Sequence, residues 1–225
     1  MPSSHNEPPD TLDVPLEIDP GDWQARQIYF LMTGMVIPRP IGWISTISAD
    51  GINNLAPHSY FNAVAHDPPH VMFSSSGIKD TLRNIKAVPE FVVNIVTLDL
   101  VERMNFTSTD FPETEDEFSW AGLTPTPSRC VRPLRVGVAK SHLECRCSNI
   151  VQAGNGHIVI GEVVHIHVEP SVWKDGRIDP ALLNPVCRLA GSGYAQLGTI
   201  FDIPRPAWRD VQHTTALEGM PGRKA

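Results

Sequence analysis

Three serines, a glycine and a Lys-Asp-Thr triplet fall close together in Ser74-Ser75-Ser76-Gly77-Ile78-Lys79-Asp80-Thr81. The serines end a run of strand character, and the triplet opens a stretch of helical spacing. The first turn of a helix offers unpaired backbone N–H groups and the positive end of the dipole. A lysine and several hydroxyls at that point make a cradle for a phosphate. The same residues also read as a plain helix start, with Asp80 or Thr81 as the cap and the serines as turn residues. Chemistry alone leaves both readings open.

Other stretches carry less. Cys145-x-Cys147 has the spacing of a metal or redox pair. Both cysteines share a strand's apolar parity with Leu143, which favours buried core thiols. His165 and His167 share a strand face, but no third ligand stands at a useful spacing, so a wet face or pocket wall is favoured over a metal site. No glycine-rich dinucleotide fingerprint follows a strand, and no Ser/His/Asp set can be assembled from sequence order.

The elements that must position these residues are mostly strands. Gly42–Ser48 reads as a strand, Ala49-Asp50-Gly51 as a turn, and Asn54–Ala65 as one returning strand stopped by Asp67-Pro68-Pro69. His70–Ser76 is a third strand, and Lys79–Val88 a helix with Leu82, Ile85 and Val88 on one side. Glu90–Thr97 is a continuous apolar run, expected to be buried on both faces. Leu98–Phe106 is a second helix, and residues 107–135 read as a long acidic loop. Gly137–Cys147 alternates, with Lys140, His142, Glu144 and Arg146 on the expected wet face. His157–Glu169 puts Ile158, Ile160, Val164, Ile166 and Val168 on one face, after a hairpin turn at Gly154-Asn155-Gly156. Short strands dominate, so the expected fold is mainly β: an antiparallel barrel with a few short peripheral helices.

Composition narrows the class. The 225 residues hold 18 Lys+Arg against 25 Asp+Glu, a net charge of −7, which argues against a nucleic-acid backbone or an anionic membrane as the main partner. Hydrophobic residues at 41% and charged residues at 19% suit a globular protein. The 21 prolines disfavour a helical bundle. The first twenty residues lack a signal-peptide pattern, and no apolar run reaches the ~18 residues of a membrane span. Four irregularly spaced cysteines do not make a disulfide scaffold, so a cytoplasmic protein with reduced thiols is expected. Residues 1–20 read as a flexible arm, 21–208 as one domain and 209–225 as a flexible tail.

The segments PRPIGWIST, NLAPHSYFNAV followed by DPP, KDTLRNI, EFVVNIV, GEVVHIHV and RLAGSGYAQLGTIF occur in this order. Together the chain resembles the flavin reductase-like family, whose fold is the FMN-binding split barrel. The likeness covers roughly residues 28–206, and Ala190 departs from a position that is often glycine. The resemblance implies a homodimer that binds FMN non-covalently. Lys79 and Thr81 would hold the FMN phosphate, with Asp80 ordering the turn and Ser74 and Ser75 beside the ribityl chain. Thr46, Ser59 and Asn62 would line the isoalloxazine edge, and Arg39 would approach the phosphate or a ring carbonyl. On a regular strand Ser59 and Asn62 point to opposite faces, so a bulge or a main-chain contact is required between them.

The resemblance also implies an activity. One reading is an NAD(P)H:FMN reductase that feeds reduced flavin to the oxygenase partner of a two-component monooxygenase. Two others are an FMN enzyme acting directly on a small organic substrate, and a non-enzymatic FMN electron carrier. Hydride transfer between stacked rings needs no protein acid or base, so no catalytic residue is assigned.

Overall fold

The computed structural model describes residues 15–213. The expected arm and tail fall largely outside the described residues; within them, 15–19 are irregular and Trp208–Val211 forms one helical turn. Seven strands form one antiparallel sheet: β1 (Gly42–Ile47), β2 (Asn53–His58), β3 (Phe61–His66), β4 (Pro69–Ser76), β5 (Glu90–Ile95), β6 (Ser141–Ala153) and β7 (Gly156–Val168). Their spatial order is β2-β1-β5-β6-β7-β4-β3. β2 and β3 stand at the two ends of that order, yet only Ser59 and Tyr60 separate them in the chain. A sheet whose edges are tied by two residues must curl until those edges meet. The result is a barrel, split between β2 and β3.

Four α-helices bear on the site: α1 (Ala25–Met35), α2 (Asp80–Ala87), α3 (Val101–Phe106) and α4 (Glu117–Trp120). One apolar cluster combines Ile44, Val71, Phe73, Phe91, Val93, Cys145, Val159 and Val163 of the strands with Leu82 and Ile85 of α2. Burying each of those two α2 side chains contributes about 1.5–3 kcal/mol, which anchors the helix and therefore fixes its N-terminus. A second cluster joins Trp43 and Leu55 to Leu100, Met104, Phe118 and Val136. Adjacent Trp43 and Ile44 belong to different clusters, so β1 is buried on both faces, as β5 is.

Several sequence expectations need correction. The single strand expected over Asn54–Ala65 is two strands, broken at Ser59–Tyr60. The helix α1 had no sequence signal, because its apolar residues do not face this chain's core: Thr33 is buried while Tyr29, Phe30, Met32 and Met35 are exposed. The loop over 107–135 contains α4 and a small pairing of Pro125–Thr126 with Arg135–Val136. The strand expected over Gly137–Cys147 runs over Ser141–Ala153.

Two parity assignments also fail, for physical reasons. His142 and Glu144, expected on a wet face, are buried. The 129–136 segment supplies their partners: the amides of Arg129 and Cys130 donate to Glu144 at 2.7 and 2.6 Å, and His142 Nε2 lies 2.8 Å from the Val136 carbonyl. His167 Nε2 adds a 2.6 Å contact to Glu144. Burial pushes the Glu144 carboxyl up, but these donors outweigh it and hold it below the usual range. On β7 the buried row is Val159, Gly161 and Val163, the parity opposite to the expected one. Gly161 hides that row in the sequence, and register shifts at Ile160/Gly161 and Val163/His165 break the alternation.

Candidate functional site

The site is built where β2 breaks and where β4 runs into α2. Gly77, at φ +77°, makes the turn between β4 and α2, a conformation that favours glycine. Lys79 is the N-cap residue of α2, and no side chain caps the helix. The capping reading is therefore set aside: Asp80 bonds Arg83, and Thr81 Oγ1 accepts from Asn54 Nδ2 at 3.2 Å. The same Asn54 amide reaches Thr46 Oγ1 at 2.9 Å, and Asn84 Nδ2 reaches it at 3.1 Å. These buried contacts tie the first turn of α2 to β1 and β2, so its orientation is set by packing and hydrogen bonds together.

A cavity of about 410 Å³ opens on that uncapped turn. Lys79, Asp80, Thr81 and Arg83 form one wall, His58 and Asn54 another, and Phe111 and Glu117 of the 107–120 segment a third. Lys79 Nζ bonds Asp110 at 3.0 Å, and Arg83 also bonds Glu113 at 2.7 Å. His58 stacks at a tilt on Phe73 with ring centroids 4.6 Å apart. Burial, reinforced by the Lys79 charge, outweighs a hydrogen bond with the Ser74 backbone and lowers His58 to about 4. It is neutral at pH 7. Glu117 is buried and accepts the Leu55 N–H at 3.0 Å. Burial, with smaller contributions from Asp80 and Asp116, raises its carboxyl to about 7.

A second cavity, about 460 Å³, lies across the β2–β3 break. Ser59, Tyr60, Asn62, Ser74 and Arg39 line it together with apolar residues such as Met32 and Met72. Ser59 and Asn62 reach the same cavity because the strand is interrupted between them, so the conflict of faces in the sequence disappears. Arg39 is buried, and its two Nη atoms donate to the carbonyls of Thr33, Val36 and Leu189, each at 2.8 Å. Its Nε has no hydrogen-bond partner.

The nine sequence-derived residues thus divide. Arg39, Ser59, Asn62 and Ser74 share one cavity; Lys79, Asp80 and Thr81 share the other; His58 and Ser59, adjacent in the chain, line one each. Thr46 lines neither cavity and serves the network below α2. Ser75 points to the opposite face from Ser74 and closes on the Gly77 carbonyl at 3.1 Å. Sequence reasoning missed Arg83, His58, Glu117 and Phe111. Arg83, one turn after Lys79 on the same helix face, carried a readable signal. Among the described residues, no three His, Cys, Asp or Glu side chains gather as a metal site would require, and no helix is long and apolar enough to cross a membrane.

Known proteins share this architecture. A nitrilotriacetate monooxygenase component B from Bacillus cereus superposes with a TM-score of 0.81 at 35% identity, covering 85% of this chain and 100% of its own. A 2-nitrobenzoate 2-nitroreductase from Pseudomonas fluorescens gives 0.80 at 30% identity, over 86% and 98%. An uncharacterized protein of Aquifex aeolicus is 40% identical over 175 residues, 75% of this chain and 89% of the relative. The model of the flavin reductase like domain matches residues 33–182, which span all seven barrel strands and every lining residue of the two cavities but Met32, and so the chain belongs to the flavin reductase-like family.

Proposed function

We propose that this protein is an FMN-dependent NAD(P)H:flavin reductase that acts as a homodimer and passes reduced flavin to an oxygenase partner. The observation that carries this reading is the uncapped first turn of α2, which opens on a cavity flanked by Lys79 and Arg83. Unpaired amides, a helix dipole and two cations suit a phosphate monoester. Lys79 and Thr81 hold the phosphate, Asp80 orders the turn through Arg83, and Ser59, Asn62 and Ser74 meet the ring and its side chain across the β2–β3 break. Arg39 braces the C-terminal end of α1 against the 189 region, which fixes one wall of the second cavity. When bound, FMN supplies hydride acceptance and electron transfer. The chain's residues bind and orient; none is asked to move a proton at the reacting atoms.

The likeness to a monooxygenase component B supports the reductase reading. A second reading, reduction of a small organic molecule on the protein's own flavin, draws on the largely apolar second cavity and on the likeness to a nitroreductase. The test is anaerobic stopped-flow of the FMN-loaded protein against NADH and NADPH. Bleaching of the flavin absorbance within seconds is expected with at least one of them. No bleaching within minutes would remove the reductase reading.

A further inference from the structure

One charged surface lies outside the flavin site. Between Arg129 and Arg146 the chain carries five of its 18 Lys+Arg but one of its 25 Asp+Glu, in a protein of net charge −7. That one acid is Glu144, which is buried. Four of the five cations belong to the 129–136 segment and the strand beside it. Arg146 Nη2 donates to the Cys130 carbonyl at 3.2 Å, and its Nε stands 4.0 Å from Glu90. The Arg132 amide donates to the same Glu90 at 2.9 Å, and Arg135 is turned onto the Pro127 carbonyl at 3.1 Å. Arg129, Arg132 and Arg146 are exposed. Among the described residues, Glu90 is the one carboxylate within ion-pair reach of these four guanidiniums, and it reaches Arg146 alone.

The segment that displays the arginines is fixed from below by buried side chains of the barrel. The Glu144 carboxylate accepts from the Arg129 and Cys130 amides, Asn94 Oδ1 accepts from Val136 N–H at 2.8 Å, and Ser45 Oγ donates to the Leu134 carbonyl at 2.6 Å. Glu144, Asn94 and Ser45 line neither cavity. A buried carboxylate is costly unless donors meet it, and here the donors are amides of the segment itself. The backbone that carries the arginines is therefore ordered in advance, which lowers the cost of binding a partner there. A guanidinium forks onto a carboxylate through two N–H groups. The rest of the chain limits what the surface can accept. A nucleic acid or a membrane extends well beyond a Debye length of about 10 Å and would meet the acidic remainder; a short acidic segment would not. We propose that Arg129, Arg132, Arg135 and Arg146 form a docking surface for a short run of Asp and Glu side chains on a protein partner. This surface does not depend on flavin binding.

The experiment titrates the full chain into a fluorescein-labelled hexaglutamate peptide and reads fluorescence anisotropy at about 20 mM and about 200 mM salt. Binding is expected at the lower salt and should be about tenfold weaker at the higher. At roughly twofold for each exposed ion pair, Arg129→Gln, Arg132→Gln and Arg146→Gln together should weaken the peptide about tenfold at low salt. The double variant Arg129→Gln, Arg132→Gln, which leaves the Arg146–Cys130 contact in place, should weaken it about fourfold. Melting temperature and FMN affinity should stay unchanged in both variants. Lys79→Ala should bind the peptide as the wild type does. No binding by the wild type at the lower salt, equal affinity in the wild type and the double variant, or loss of binding in Lys79→Ala overturns the proposal. So does tighter binding, lost in the same variants, of a single-stranded oligonucleotide or of phosphatidylserine vesicles, which would assign the surface to a nucleic acid or a membrane.

Discussion

Lys79 is paired with Asp110 at 3.0 Å, and both side chains stand in solvent. Such a pair is worth little, so Lys79 is free to exchange Asp110 for a phosphate at small cost. Its charge-assisted contact to that phosphate is worth roughly 1.5–3 kcal/mol, so Lys79→Ala should weaken FMN about tenfold or more in a fluorescence-quenching titration. Unchanged affinity would remove Lys79 from the site. Glu117 adds a pH dependence on the same cavity. With its pKa raised to about 7 it is neutral below that pH and anionic above it. The anion repels a phosphate, so FMN affinity should fall relative to a Glu117→Gln variant as pH rises through 7. At an effective interaction on the order of 1 kcal/mol, the two proteins should match near pH 6 and differ about fivefold at pH 8.5. A ratio that stays constant across this range would show that Glu117 does not sense the ligand. In the ligand-free protein the raised pKa carries its own sign: Glu117 contributes stability below its ordinary value of 4.5, and that contribution is lost as pH rises through about 7. At this scale the Lys79–Thr81 triplet was legible because a helix start is a local signal. Glu117 was not, since it reaches the cavity from a segment 36 residues beyond Thr81, and nothing in its own surroundings marks it as buried.

Among the elements, β1, β4 and α2 were readable because each keeps one period from end to end, and β5 because its apolar run is unbroken. β7 was not. Gly161 sits in its buried row, and a Cβ there would lie 2.4 Å from Phe91 Cζ and 3.2 Å from Cys145 Cβ. The position must be glycine so that the Phe91 ring can fill the barrel, and a glycine looks like a gap in an apolar pattern. Gly161→Ala should cost about 1–3 kcal/mol by overpacking and lower the melting temperature by about 3–10 °C. A melt within about 1 °C of the wild type would mean that Phe91 moves aside freely. The break between β2 and β3 was hidden for a different reason: HSYFN alternates acceptably as a strand, and only the closure of the whole sheet requires the interruption. That interruption is also what brings Ser59 and Asn62 to one cavity.

Taken whole, the molecule treats its two sheet edges differently. The β2 edge is covered by the 107–120 segment: Glu117 accepts from Leu55 N–H, and Asn53 Nδ2 donates to Asp116 at 2.9 Å. The β3 edge carries exposed Val64, and exposed apolar residues of α1 and its exit, including Met32, Met35, Val36 and Ile37, remain uncovered with it. An open edge beside apolar side chains invites pairing with a second copy, which is also why α1 gave no core-facing pattern in the sequence. Light scattering should report a dimer at micromolar concentration, and Met35→Lys with Val64→Lys should shift it to monomer while leaving the fold intact. A wild-type monomer that still binds FMN would refute the dimer. The central claim is that this barrel holds a flavin by its phosphate at the start of α2. Parallel fluorescence titrations with FMN and with riboflavin test it most directly, because the two ligands differ only in that phosphate. FMN is expected to bind at least about tenfold more tightly than riboflavin; equal affinities, or no binding of either, would contradict the account.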